Sequence, residues 1–201
     1  MLRIGLTGGL ACGKSFVGET LAGWGCLLIQ ADELGHDVLA TGGEAYEPVV
    51  QEFGRDILAE DGSIDRRALA ARVFGSPDRL ARLNALVHPP VLRREEELIA
   101  GFAEREPQGI AVVEAAILIE NGSYKRFDRM ILVSCTDEQQ VERAMRREGA
   151  RESDVRARIS RQMPLDAKRK FADFVIDTSG SKEDTIRQTR AVYESLRRIQ
   201  P

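Results

Sequence analysis

The stretch Gly8-Gly9-Leu10-Ala11-Cys12-Gly13-Lys14-Ser15 decides the reading of this chain, because it matches G-x-x-x-x-G-K-[ST] at every fixed position. An apolar run, Leu2–Thr7, precedes it, and a helix-compatible segment, Ser15–Leu21, follows. Strand, glycine loop and helix in that order make a phosphate cradle. Glycines let the backbone curl so that successive N–H groups point inward at phosphate oxygens. The helix N-terminus behind the loop adds unpaired donors and a favourable dipole. Lys14 brings a mobile positive charge to the β- and γ-phosphates, and the Ser15 hydroxyl is placed to ligate Mg²⁺. The loop alone leaves kinase, switch GTPase and motor ATPase open.

Working outward, further short aliphatic runs occur at Cys26–Ile29, Ile110–Val113, Met130–Ser134 and Phe174–Ile176. They are continuous rather than alternating, as expected of strands covered on both faces. Amphipathic segments separate them, several with helix signals. Ser76-Pro77 supplies a cap and a first-turn proline. Thr136 with Gln139 and Ser181 with Asp184 have capping-box spacing, and Gly149 is placed to end the helix opened at Thr136. Alternating strands and helices predict a three-layer α/β fold around a five-stranded parallel sheet. About eighty residues, Asp32–Gln108, break the rhythm without a convincing strand, far more than an ordinary crossover needs. They read as a helical insertion beside the carboxyl edge of the sheet, where such folds bind ligands.

At 201 residues the chain can bury a substantial core, and 43% hydrophobic with 30% charged residues suits a globular protein. A net charge of −3 argues against a nucleic-acid binder. Three cysteines without metal-like spacing favour a reducing compartment. Met1–Leu6 leaves no room for a signal peptide, and no apolar run reaches a membrane span. The expectation is a cytoplasmic protein with no nucleic-acid or membrane partner, a monomer or weak homo-oligomer.

On the acceptor side, Asp32 stands just past the second run. It either accepts a proton from an attacking hydroxyl, helps hold Mg²⁺ through water, or caps the next helix. Glu114 ends the third run, as a metal-associated acid or a strand-terminal surface carboxylate. His36 lies one turn beyond Asp32 on the same face, and His88 precedes Pro89-Pro90 at an expected helix boundary. The plain alternatives are a packed or hydrogen-bonded structural residue for His88 and an exposed or satisfied histidine for His36. Arg143, Arg146, Arg147, Arg158, Arg161, Lys168, Arg169 and Lys170 mark a basic helical segment. It is either a solvated face or a lid whose arginines neutralise a transferring phosphoryl group.

Ile4–Ser15, with its Leu6-Thr7-Gly8-Gly9 lead-in, resembles the dephospho-CoA kinase family. Ala31-Asp32, Phe53-Gly54, Asp61-Gly62, Asp65-Arg66, His88-Pro89, Leu118-Ile119-Glu120-Asn121, Arg158 with Gln162, Lys168, Ala172-Asp173 and Ile176-Asp177 with Gly180 match collinearly. The resemblance implies ATP and Mg²⁺ as cofactors and transfer of the γ-phosphoryl group to the ribose 3′-hydroxyl of dephospho-CoA. It also implies a P-loop fold like nucleoside monophosphate kinases: core 1–31, 108–142 and 171–201, helical substrate insertion 32–107 and lid 143–170. Asp32, Lys14 and Arg147 would be catalytic. Gly8, Gly9, Ala11, Cys12, Gly13, Lys14, Ser15, Phe16, Arg147 and Thr178 would hold the nucleotide, with Ser15 on the metal. Asp32, His36, His88, Leu118, Glu120, Arg158 and Gln162 would hold the acceptor.

There are departures. Ala11-Cys12 and Phe16 replace Gly-Ser and Thr of the usual loop, Gln30 an aspartate, Ala116 a proline and Thr178 a common asparagine. A different small-molecule kinase would lack the His88-Pro89 and Leu118–Asn121 matches. A GTPase would carry Asn-Lys-x-Asp, which is missing from this sequence.

Overall fold

The structure is a computed structural model that describes residues 1–73 and 75–199, apart from the side chain of Glu148. Five strands form one sheet: β1 Leu2–Gly8, β2 Leu27–Gln30, β3 Ile110–Glu114, β4 Arg129–Ser134 and β5 Phe174–Asp177. Their order is β2-β3-β1-β4-β5, and the sheet is parallel. β1 therefore lies in the middle, with Leu6 opposite Glu114 of β3 on one side and Ile131 of β4 on the other. Strand order reverses about β1, so a ligand crevice is expected at its carboxyl end, where the phosphate loop begins.

Continuous apolar runs produced these strands because both faces are covered. Ile4, Leu6, Val112, Ile131, Val133 and Ile176 pack with Val17 and Leu21 of α1 (Lys14–Ala22) and Leu196 of α9 (Lys182–Arg198). Each fully buried side chain of this size contributes roughly 1.5–3 kcal/mol. α9 is further tied to the end of α1 where Tyr193 Oη donates to the Trp24 carbonyl at 3.1 Å.

The Asp32–Gln108 region is helical, as its lack of strand pattern predicts. It holds α2 (Ala31–Leu39), α3 (Tyr46–Phe53), α4 (Arg66–Val73) and α5 (Pro77–Arg105). Gln30–Leu98 forms one compact unit; Met1–Ile29 with Ile99–Pro201 forms the other. The last turns of α5 thus group with the sheet rather than with the insertion. The smaller unit has its own core of Val38, Val49, Phe53, Ile57, Leu69 and Val91. Asp65 Oδ1 accepts from the Arg67 amide at 2.8 Å at the start of α4.

The expected helix boundary at His88 is a correction. α5 runs through Pro89 and Pro90 without a break. Two prolines remove two ladder donors, at a cost of about 3 kcal/mol or more for each clash in a helix interior. Leu83, Leu86, Val87 and Val91 hold the helix on both sides of them by packing into the core of the smaller unit.

The basic segment holds α6 (Asp137–Glu148), α7 (Glu152–Ile159) and α8 (Leu165–Lys168). The capping box at Thr136/Gln139 and the stop at Gly149, with φ +62°, are both present. The same holds for the box at Ser181/Asp184. Among the described residues no helix is long and apolar enough to cross a membrane.

Candidate active site

β1 delivers the chain into the loop at Gly8, whose Cα faces the β4 backbone so closely that a Cβ would lie 2.3 Å from the Val133 carbonyl oxygen. No side chain fits there. Gly13 takes the N-cap position of α1 at φ +81° without a side-chain cap, so the first N–H groups of α1 are left for a ligand. Ala11 adopts φ +54° and is the one described non-glycine residue in the left-handed region. That conformation costs an L-residue roughly 1–2 kcal/mol. A non-glycine residue in this conformation stores strain in the loop.

Two cross-links hold the loop from outside. The Thr178 hydroxyl donates to the Cys12 carbonyl at 2.8 Å and accepts from the Arg143 guanidinium at 3.1 Å. Arg143 also donates to the Thr178 carbonyl at 2.7 Å. On the other flank, the Leu10 amide donates to Gln162 Oε1 at 3.0 Å. Lys14 reaches back over the loop, with Nζ 3.0 Å from the Gly9 carbonyl. Lys14, Phe16, Arg143 and Arg147 line a cavity of about 210 Å³ with Ala11, Gly13 and Ser15. Of the basic segment, Arg143 and Arg147 are the arginines that line this cavity; they lie one turn apart on α6.

The Ser15 hydroxyl donates to Glu114 Oε1 at 2.9 Å, and Glu114 is 7% exposed at the end of β3. The surface-carboxylate reading of Glu114 is thereby excluded. A hydroxyl and a carboxylate converging beside a phosphate loop are the hard oxygen donors that suit Mg²⁺, which binds few protein ligands and completes its shell from phosphates and water.

The Leu118–Asn121 match anchors the basic segment. Lys168 is wholly buried, and its ammonium lies 2.8 Å from Glu120 Oε1 and 2.8 Å from the Ala116 carbonyl. The same Glu120 oxygen accepts from the Met163 amide at 3.2 Å, and Thr7 Oγ1 donates to the Ala116 carbonyl at 3.1 Å. A buried ammonium stripped of its carboxylate costs about 3–5 kcal/mol, so this knot fixes where the segment rejoins the sheet. Ala116 serves through its carbonyl. Leu118 is buried, and Arg158 stands exposed in the last turn of α7.

Asp32, His36 and His88 belong to the Gln30–Leu98 unit. Asp32 is not a helix cap: Gln30 occupies that position, and Asp32 is the second residue of α2. Its exposed carboxylate makes no hydrogen bond or ion pair among the described residues. Placed in the first turn, its charge is favoured by the helix dipole. His36 is exposed in the last turn of α2, and His88 is half-buried within α5.

Sequence reasoning missed the Arg143–Thr178 clamp, the Lys168–Glu120 pair and the contact of Cys12 with Cys135. A signal existed for the first alone, since Arg143 precedes Arg147 by one helical turn.

A family model described as dephospho-CoA kinase matches residues 2–184. A dephospho-CoA kinase of Aquifex aeolicus is 40% identical over 198 residues, covering 98% of this chain and 99% of that protein. A crystal structure of a Thermus thermophilus protein superposes with TM-score 0.81 at 35% identity, covering 97% of each chain. The dephospho-CoA kinase of Campylobacter jejuni shares the fold with TM-score 0.63 at 23% identity, covering 96% of each.

Proposed function

The chain belongs to the dephospho-CoA kinase family, and from that premise we propose how its own residues carry the reaction. The activity is transfer of the γ-phosphoryl group of ATP to the ribose 3′-hydroxyl of dephospho-CoA, giving CoA and ADP. The observation that carries the proposal is the loop itself. Its strained Ala11, the uncapped start of α1, Lys14 and two arginines surround one small cavity.

Lys14 sets its ammonium on the β- and γ-phosphates, and the N–H groups at the start of α1 hold their oxygens. Arg147 neutralises charge that spreads over the transferring oxygens. Arg143 acts through Thr178, fixing the Cys12 carbonyl and so the aim of the loop. Gly8 and Gly9 let the backbone approach, and Phe16 packs beneath the Lys182 ammonium, 5.7 Å from its ring centre, at the rim.

Ser15 is the metal ligand, and Glu114 orients it. Bound there, Mg²⁺ offsets the negative charge on the β- and γ-phosphate oxygens. Replacing Glu114 with Gln is expected to weaken Mg²⁺ affinity roughly 10–100-fold, the usual effect of losing a residue that orients a ligand. A Mg²⁺ titration of initial rate at fixed ATP reads this directly. An unchanged midpoint would return Glu114 to a packing role.

Asp32 takes the proton of the attacking hydroxyl, for which a carboxylate without a competing partner is suited. His36, His88 and Arg158 are assigned to the acceptor. Glu120, Gln162 and the buried Leu118 act indirectly, by holding the basic segment and the loop.

An ADP-release assay offering dephospho-CoA, AMP, adenosine and shikimate in parallel tests the acceptor. Turnover with dephospho-CoA at least about 10²-fold above the others is expected, the discrimination that a site hydrogen-bonding its substrate achieves. Turnover with AMP or shikimate and none with dephospho-CoA would refute the proposal.

A further inference from the structure

Cys12, in the phosphate loop, and Cys135, the residue after β4, lie 123 positions apart in sequence with their sulfurs 3.4 Å apart. Both are buried, at 0% and 8% exposure, and both are free thiols. We propose that they form a modification site, a dithiol that a hydroperoxide closes into a disulfide that displaces the phosphate loop. This goes beyond phosphoryl transfer, in which neither sulfur takes part.

The surroundings support it. Cys135 donates its S–H toward Cys12. That hydrogen bond, together with the positive charge of Lys14, pulls the Cys12 thiol down toward the thiolate, while the Cys135 thiol is pushed up. Negative charge is thus favoured on Cys12 over Cys135. A thiolate beside a thiol is the arrangement in which a sulfenic acid is resolved at once rather than over-oxidised. Cys26, the third cysteine, is pushed up to about 12 by burial and has no such partner.

A route exists. A cavity of about 530 Å³ is lined by Gly9, Cys135, Gln140 and the residues that follow α7. Of the lining groups, the Cys135 sulfur lies 3.4 Å from the Cys12 sulfur, and Gly9 is so close that a Cβ on it would lie 3.0 Å from that sulfur. A water-sized peroxide in this cavity meets Cys135, the hydrogen-bond partner of the Cys12 sulfur.

The chemistry balances without a metal or a cofactor. The Cys12 thiolate attacks one peroxide oxygen: an S–O bond forms, the O–O bond breaks, and hydroxide leaves to take up the proton shed by Cys12. The Cys135 sulfur then attacks the Cys12 sulfur. The S–S bond forms, the S–O bond breaks, and hydroxide departs with the Cys135 proton as a second water. Two thiols lose two electrons and the peroxide gains them. A small dithiol reverses the bond by exchange.

The consequence follows from distance. A disulfide requires its sulfurs at about 2.05 Å, so closure draws Cys12 toward β4 by more than 1 Å in total. Cys12 is held at its carbonyl by Thr178 and is followed directly by Gly13 and Lys14. A misplacement of about 1 Å at a positioning element can cost roughly 10²-fold in rate.

The test treats the full-length protein with hydrogen peroxide and reads intact mass, a non-reducing digest and kcat/KM for ATP. Expected are loss of the mass of two hydrogens, a Cys12–Cys135 linked peptide and a fall of roughly 10-fold or more in kcat/KM, all reversed by dithiothreitol. Cys135→Ser should have ordinary activity before treatment and never lose the two hydrogens. The digest of the unmutated protein decides the linkage even if that variant folds poorly. Oxygen addition without a link, a link through Cys26, or a Cys12–Cys135 link with undiminished kcat/KM would each overturn the proposal.

Discussion

Replacing Lys14 with alanine is expected to lower kcat/KM for ATP by roughly 10²–10³-fold, the cost of removing one preorganised charged donor from developing negative charge. The expectation rests on where Nζ is held. It bonds to the Gly9 carbonyl across the mouth of the loop, and its side chain lines the same cavity as Arg143 and Arg147. The loss should appear with every acceptor, because the residue serves the donor phosphates. Folding should survive, since a lysine–carbonyl hydrogen bond of this kind contributes about 1–3 kcal/mol net. Steady-state rates at saturating acceptor, beside a thermal melt, separate the two effects. Activity within a few-fold of the starting protein would mean that the phosphates are held elsewhere.

Replacing Asp32 with asparagine should have the opposite signature. A drop in kcat of about 10²-fold or more is expected, the range for a positioned proton acceptor, with KM for ATP nearly unchanged. Asparagine keeps the size and removes the charge. As the second residue of α2, the position contributes about 0.3–1 kcal/mol through the helix dipole, so the fold should tolerate the change. An intact kcat would leave Asp32 a surface carboxylate that only complements the dipole.

Much of this was legible in the sequence because the signals are local. Gly8–Ser15 carries its own geometry, the five aliphatic runs are the five strands, and Thr136, Gly149 and Ser181 mark helix ends as capping chemistry requires. β2 begins at Leu27, one residue later than Cys26 suggests, the usual fraying of an edge estimate. His88-Pro89-Pro90 misled for a physical reason. Proline's penalty is local, whereas the packing that offsets it comes from side chains distant in sequence, in the core formed by Val38, Val49, Phe53, Ile57 and Leu69. Asp32 misled as a possible cap because α2 starts directly from β2 with no intervening turn.

What could not be read is long-range pairing. Glu120 and Lys168 make a buried ion pair, yet nothing at either position announces the other. Thr178 was expected among the residues that hold the nucleotide, and no local signal marks the bonds its hydroxyl makes with the Cys12 carbonyl and with Arg143. In the sequence Cys12 stands only as a departure from the usual loop. Its neighbour Cys135 is contributed by the end of β4, which only the sheet order brings beside β1.

The central claim is that the γ-phosphoryl group is delivered to one hydroxyl of one acceptor. Phosphorus and proton NMR of the product formed from ATP and dephospho-CoA tests it most directly. The account predicts a single new phosphomonoester coupled to the ribose 3′ proton, with ADP formed in equal amount. Free inorganic phosphate in place of that ester, or a phosphate on any other oxygen, would contradict it.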